Sequence, residues 1–183
     1  MVAKVDSIEE NKVNVKEITI TAMFIALVFV FTAFINIRLP IGGNGGLIHL
    51  GNIPLFIAAF IFGKKTGCIA GGVGMALFDL LSGWTIWAPF TLVIVGLMGY
   101  VVGYIAKKSE KRKTLAYLLA IILACIIKVF GYYFAEVMLY GNFLAPIASI
   151  PGNVIQVSFA GVVTLLVVKQ LRIAAVKTNL IEV

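Results

Sequence analysis

The sequence predicts an all-α fold: an integral membrane bundle of six transmembrane helices, with both termini in the cytoplasm and structured extracellular loops. Hydrophobic residues make up 61% of the 183 residues and charged residues 13%, too little polar surface for a soluble domain. Polar breaks divide the chain into six apolar segments, most of them near the length that crosses a hydrocarbon core about 30 Å thick. Basic residues concentrate in alternate breaks, which sets the orientation.

The predicted helices follow from these apolar segments. They cover residues 18–37, 53–62, 67–81, 89–106, 115–139 and 154–168. The second segment would span only about 15 Å as a helix. We therefore expect it to form a thin or tilted pair with the third segment, after a glycine turn over residues 63–67.

The distribution of positive charge predicts the topology. Thirteen of the fifteen Lys and Arg residues fall in breaks that share one side, and the exceptions are Arg38 and Lys128. Placing those breaks in the cytoplasm obeys the positive-inside rule, which also accounts for the net charge of +7 without nucleic-acid binding. The predicted organisation is a cytoplasmic segment (1–17), one membrane domain (18–172) and a cytoplasmic tail (173–183).

Three polar clusters then share the outer side. They are "RLPIGGNGGLIHLGN" (38–52), "FDLLSGWTIWAPFTL" (78–92) and "YGNFLAPIASIPGN" (140–153). The loops among them are long, apolar and sparsely charged, whereas the cytoplasmic turns are short and basic. Such loops can fold over a pocket at the outer face.

Ionisable residues inside predicted helices are the first candidates for a binding site, because burying charge in a membrane is costly. Lys128 lies in the fifth predicted helix, past the midplane of the membrane, and Tyr132 and Glu136 follow it at i+4 and i+8 on the same face. Polar residues of the neighbouring helices share this outer depth. They are Asp79 at the end of the third helix, and Asn153 and Gln156 at the start of the sixth.

The outer loops add further candidate ligands, which are Asn44, His49, Asn52, Trp84 and Trp87. His49 and Asn52 have an alternative role as caps of the second helix. Trp84 and Trp87 have an alternative role as interfacial belt residues. Pro89 is predicted to start the fourth helix, where its missing N–H costs little.

The charged candidates also have structural alternatives. Lys128 and Glu136 could form an ion pair across two turns, or Lys128 could snorkel toward the interface. Asp79 near a helix carboxyl end is disfavoured by the helix dipole, so it needs a partner, which a hydrated loop could supply.

Glycine spacing indicates close helix packing. Gly63, Gly67 and Gly71 recur at every fourth position, as do Gly99 and Gly103. Small residues at this spacing let helices approach closely in lipid.

Several classes of chemistry are missing from the sequence. There is no "GxxxxGK[ST]", "GxSG" or "HExxH" motif, and His49 is the only histidine. We therefore expect no catalytic residue, no metal site and no enzyme activity. A small channel or structural membrane protein remains an alternative, which copurification with partner subunits would distinguish.

The chain after its first seventeen residues resembles a known family. The likeness rests on its size and predicted topology, the long first outer loop, the Ala22-x-x-x-Ala26 pair, and "HLGNIPLFIAAFIFGKKTGCIAGGVGMALFDLLSGWTIWAPFTLVIVGLMG". These features resemble the substrate-binding S components of energy-coupling factor (ECF) vitamin transporters. The long run is similar to the pyridoxine- and hydroxymethylpyrimidine-type subgroup, and also to proteins labelled riboflavin S components.

The resemblance implies a mechanism of uptake across the plasma membrane of a prokaryote. An S component captures a vitamin outside the cell, then associates with a membrane T subunit and two ATPases that open its pocket inward. Ala22 and Ala26 would contact the T subunit. No cofactor is expected in this chain, because the partner ATPases use the ATP.

The candidate residues also narrow the substrate. They supply one cation, carboxylates, amides and aromatic faces, including Tyr133, which suits a small aromatic heterocycle with hydroxymethyl or amine substituents. A phosphorylated ligand would want an arginine cluster, and the outer half has only Arg38. We expect a pyridoxine-like compound or hydroxymethylpyrimidine, with riboflavin as the alternative.

Overall fold

The described chain is almost entirely helical. The structure, a computed structural model, describes residues 15–38, 47–108 and 113–181. Within these ranges there are six α-helices, two short 3-10 helices and one two-stranded antiparallel sheet. The α-helices and strands are α1 (Val15–Phe34), β1 (Asn36–Arg38), β2 (Leu47–His49), α2 (Asn52–Phe62), α3 (Lys64–Leu81), α4 (Ala88–Lys108), α5 (Lys113–Tyr140) and α6 (Ile150–Lys177). The 3-10 helices are Thr85–Trp87, before α4, and Ala145–Ser149, before α6.

Four helical stretches of the described chain are long and apolar enough to cross a membrane. They are Val15–Phe34, Thr85–Lys108, Lys113–Tyr140 and Ala145–Lys177. Helix α2 has only 11 residues, which confirms the prediction of a short second segment. That all six helices cross the membrane, with both ends in the cytoplasm, stays a prediction.

The short helix α2 lies at the centre of the bundle. It packs against α1, α3, α4 and α6. Leu55, Phe56, Ala58 and Ala59 have no exposed surface. Because α2 is apolar on every face, it is stable only where neighbouring helices surround it.

Helices α3 and α4 touch backbone to backbone. A Cβ atom added to Gly99 would lie 2.2 Å from the carbonyl oxygen of Gly67, and one added to Gly103 would lie 2.4 Å from the backbone nitrogen of Lys64. The predicted packing role is therefore confirmed for these glycines. The backbone of Gly63 also lies in this contact, 2.6 Å from a Cβ added to Gly103, and its φ of +94° turns the chain from α2 into α3.

Helix α1 ends earlier than the predicted residue 37. The side-chain amide of Asn36 donates to the backbone carbonyls of Thr32 at 2.9 Å and Ala33 at 2.7 Å, which satisfies acceptors at the end of the helix. The chain then forms β1, which pairs antiparallel with β2 and sets Asn36 opposite His49. Part of the first outer loop is thus a small sheet, where the sequence predicts only a loop.

The ends of the other helices follow their prolines and polar residues. Pro151 lies in the first turn of α6, so this helix begins at Ile150, earlier than predicted. It continues to Lys177, past the predicted end of the helix at 168 and the predicted domain boundary at 172. Pro89 lies in the first turn of α4, as expected.

Candidate functional site

Helix α5 turns one polar face toward the interior. Lys128 is 2% exposed, Glu136 is 9% exposed and Tyr132 is half-buried, so the helix face that these residues share points inward. The Nζ atom of Lys128 lies 5.6 Å from the centroid of the Tyr132 ring. A cation at this distance is attracted by the face of the ring.

Asp79 brings a carboxylate from α3 to the same region. It is 9% exposed, lies beside the hydroxyl of Thr91 on α4, and is near enough to Lys128 for an electrostatic interaction. The hydroxyls of Thr91 and Tyr132 share a hydrogen bond at 3.1 Å. Protein groups therefore surround Asp79, contrary to the alternative of a hydrated loop, and three helices meet at this network.

The ion pair considered between Lys128 and Glu136 is not formed. No salt bridge joins them in the described ranges, and Glu136 instead lies beside Ser149, the last residue of the 3-10 helix before α6. Eight residues of helix separate the two groups by about 12 Å along the axis, which explains why the pair does not close.

His49 ties the first outer loop to the site. It is 8% exposed, and its carbonyl accepts a hydrogen bond of 2.9 Å from the side-chain amide of Gln156 on α6. Its Nδ1 accepts from the backbone N–H of Gly51 at 3.2 Å, so a neutral ring carries its proton on Nε2. Burial, together with the nearby charge of Lys128, holds the pKa of His49 well below its usual value.

Asn52 begins α2 and is fully buried. Among the described residues, neither its amide nitrogen nor its amide oxygen has a hydrogen-bond partner, and the same holds for Oδ2 of Asp79. Gly51 occupies the N-cap position without a side-chain cap, so the capping alternative is wrong for Asn52. Buried polar atoms without partners are rare in native proteins and call for a ligand, a water or another explanation.

Aromatic rings flank this polar region. Trp87 is half-buried, with its ring centroid 6.3 Å from that of Tyr132 and 6.1 Å from that of Tyr140. It packs against the bundle core. Trp84 is also half-buried, and its backbone N–H donates to the carbonyl of Asp79 at 2.9 Å.

The remaining predicted residues lie less centrally. Asn153 is half-buried near the start of α6, and Asn44 lies outside the described residues. The hydroxyl of Tyr133 donates to the carbonyl of Phe143 at 2.9 Å, which braces the outer loop between α5 and α6. Ala22 and Ala26 are exposed on α1, away from the site.

A family model described as "ECF-type riboflavin transporter, S component" matches residues 12–173 of the chain. The chain belongs to the S components of ECF transporters. Members of this family bind transported substrates and are not enzymes. Together with the four long apolar helical stretches, family membership makes the chain a multi-pass membrane protein.

Two relatives of this S component extend the comparison. A protein of Lactococcus lactis subsp. cremoris called "Thiamine precursor transporter HmpT" is 32% identical over 148 residues, which cover 81% of this chain and 82% of that protein. An uncharacterized protein of Pyrococcus woesei is 39% identical over 105 residues, or 57% of this chain and 69% of the relative.

A solved structure supports the fold of the S component. It is the S component of a bacterial ECF transporter, which superposes with a TM-score of 0.65 at 24% identity. The match covers 85% of this chain and 95% of the other. At this level of identity the likeness concerns the fold alone.

Sequence reasoning missed Thr91 in this S component. A single threonine in an apolar helix is too common to mark a site, because its hydroxyl can bond to its own helix. The available indication was its place one turn after Trp87, in the first turns of α4. Only the packing of α4 against α5 shows that its hydroxyl meets Tyr132.

Proposed function

We propose that this S component captures a small water-soluble vitamin or vitamin precursor outside the cell. It delivers the compound inward when a membrane T subunit and two ATPases of an ECF module associate with it. Membership of the family and the relative called a thiamine precursor transporter support this proposal. Both ends of the chain lie in the cytoplasm, as the basic residues predict.

The substrate that suits the site best is hydroxymethylpyrimidine, or a pyridoxine-type compound of similar size. The observation that carries this choice is the buried amide of Asn52, whose donor and acceptor both lack partners in the described part of the chain, as does Oδ2 of Asp79. An amide can pair with an aminopyrimidine edge through two parallel hydrogen bonds, as asparagine does with adenine. Lys128, Trp87 and Tyr132 add a cation and ring faces around such a ligand.

Further side chains are proposed to contact or position the ligand. They are Asn44, His49, Trp84, Glu136, Asn153 and Gln156. His49 and Gln156 bring the first outer loop against α6, which supports a role in closing the site. Glu136 and Asn153 lie toward the last outer loop, where they would meet the outer end of the ligand.

Riboflavin is the second candidate substrate. The description of the matching family model names a riboflavin transporter, which is the observation that favours it. Riboflavin is larger than a single pyrimidine ring and carries a polyhydroxyl chain. Direct competition between the two compounds therefore separates the candidates.

Ala22 and Ala26 form the proposed contact with the T subunit. Both are exposed on α1, and small side chains allow another helix to approach closely in lipid. Ala22→Leu with Ala26→Leu should reduce copurification of the T subunit and ATPases while ligand affinity stays at the wild-type value. A channel or structural protein would copurify with no such module.

The experiment that tests the substrate uses the fluorescence of the two tryptophans, Trp84 and Trp87. The purified full chain is titrated with hydroxymethylpyrimidine, pyridoxine, pyridoxamine and riboflavin. We expect saturable quenching by the pyrimidine, weakened at least tenfold in Asn52→Leu and unchanged in Gln170→Leu, whose side chain is exposed on α6. If none of the four compounds and no member of a wider vitamin panel quenches the tryptophan fluorescence, the channel alternative would be favoured.

A further inference from the structure

A second cluster of cations and aromatic rings lies at the opposite end of α4 from the site. Tyr100 and Tyr104, one turn apart on α4, have ring centroids 6.4 Å apart and planes inclined by 5°. The Nζ atom of Lys64, on α3, lies 5.2 Å from the centroid of Tyr100 and 5.5 Å from that of Tyr104. Lys108 adds a second ammonium group 5.9 Å from the Tyr104 ring.

The packing of α3 on α4 holds this cluster in place. Gly103 lets the backbone of Lys64 approach α4 so closely that a Cβ there would collide with it. Lys64 also donates to the hydroxyl of Tyr100 at 3.4 Å. An ammonium group has three protons, so the others stay available to an external acceptor.

Neither cation is neutralised by the described chain. Among residues 15–38, 47–108 and 113–181, no carboxylate forms a salt bridge with Lys64 or Lys108. Tyr100 is 41% exposed and Tyr104 is 47% exposed. The cluster therefore presents concentrated positive charge at the surface.

An apolar stripe continues from the cluster along the same face of α4. Val93, Leu97, Tyr100 and Tyr104 follow at helical spacing, and Val93 is 67% exposed and Leu97 48% exposed. The surface thus matches the two parts of a phospholipid: cations and hydroxyls at the end of the helix match the headgroup, and the apolar side chains beside them match an acyl chain. A surface that binds a ligand through charge alone would not require the apolar part.

We propose that Lys64, Lys108, Tyr100 and Tyr104 bind the headgroup of an anionic phospholipid in the leaflet where α3 begins and α4 ends. The two ammonium groups contact the phosphate, the tyrosine hydroxyls hydrogen-bond to the headgroup, and an acyl chain lies along Leu97 and Val93. Juxtamembrane lysines attract anionic lipids, and tyrosine rings are enriched at this depth of a bilayer. The proposal does not depend on the identity of the vitamin.

The test measures thermal unfolding of the full chain in detergent, titrated with dioleoylphosphatidylglycerol or dioleoylphosphatidylcholine. Phosphatidylglycerol should raise the Tm saturably and phosphatidylcholine should not. Lys64→Gln with Lys108→Gln should weaken the effect about 30-fold, since each lysine that contacts the headgroup phosphate should contribute about fivefold. The matched control, Lys113→Gln with Lys169→Gln, removes two exposed lysines from the same end of the bundle and should keep the full effect.

Three outcomes would overturn the proposal. Equal losses in the two double variants would mean diffuse attraction to charge, and equal stabilisation by both lipids would mean no headgroup recognition. Loss of T-subunit and ATPase copurification in the Lys64/Lys108 variant, with lipid stabilisation intact, would make the surface a protein contact. Lys64→Arg with Lys108→Arg should retain the effect, which separates charge from folding, and vitamin quenching should persist in every variant.

Discussion

The side chain of Gln156 on α6 donates to the carbonyl of His49 in the first outer loop at 2.9 Å, across 107 positions of sequence. Both residues are buried, and His49 also lies close to Lys128. One hydrogen bond therefore links the loop after α1 to the helix that ends the bundle. Its strength should govern both the stability of the chain and the closure of the site.

Gln156→Leu should destabilise the protein and release ligand faster. Leaving the His49 carbonyl buried without a donor costs about 1–3 kcal/mol. The measurements are Tm in detergent and the dissociation rate after dilution of bound vitamin. Gln170→Leu, on the exposed side of the same helix, is the control and should match wild type in both.

Thr91→Val and Tyr132→Phe should be strongly non-additive. Each removes one partner of the 3.1 Å hydrogen bond without changing side-chain volume greatly. The coupling energy of the double-mutant cycle should be about 0.5–1.5 kcal/mol in unfolding free energy. Strict additivity would show that the two hydroxyls do not interact in solution.

Lys128→Met should separate stability from binding. The buried ammonium interacts with Asp79 but forms no salt bridge with a described carboxylate, so the cost of losing this attraction offsets the gain from no longer burying a charge, and a methionine of similar length should leave the Tm of the free protein nearly unchanged. Vitamin affinity should fall by about 10–100-fold, the usual effect of losing a hydrogen bond from a charged group. Lys169→Met, at an exposed position, is the control, and an unfolded Lys128→Met chain would contradict the expectation.

Gly99→Ala should destabilise the bundle, whereas Gly96→Ala should not. An added Cβ on Gly99 would overlap the carbonyl oxygen of Gly67. A Cβ added to Gly96 would lie 3.6 Å from its nearest neighbouring atom, which is an ordinary contact. Overpacking of this kind costs about 1–3 kcal/mol. Paired Tm measurements in one detergent check the difference, and similar Tm values for both variants would contradict the close approach of α3 and α4.

Acid should weaken the protein through His49. Because burial and Lys128 hold the pKa of His49 down, the unfolded chain takes up this proton before the folded chain does. The stability is complete above the ordinary histidine pKa of about 6.5 and declines as pH falls from there toward the folded value. His49→Asn keeps an acceptor near Gly51 and removes the titration, so its Tm should fall less than wild type between neutral and acidic pH.

The sequence was informative where local periodicity decides the outcome. Four-residue spacing places Lys128, Tyr132 and Glu136 on one face of their helix, and the short apolar run of α2 predicted a short helix. Pairing of β1 with β2 was not, since strand register depends on a contact between distant segments. The isolation of Glu136 from Lys128 and the bond from Thr91 to Tyr132 likewise depend on how helices rotate against one another.

The backbone contact between α3 and α4 restricts how the site can open. The contact between Gly67 and Gly99 is made by backbone atoms, so no change of side-chain rotamer can loosen it. We therefore expect α3 and α4 to move as one rigid unit that carries Asp79 and Thr91. Side chains fill the seam between α4 and α5, where Ile94 packs on Gly131. If α4 moves away from α5 to let a ligand enter, the carboxylate of Asp79 moves away from the ammonium group of Lys128. The electrostatic attraction between these two groups therefore resists opening of the site.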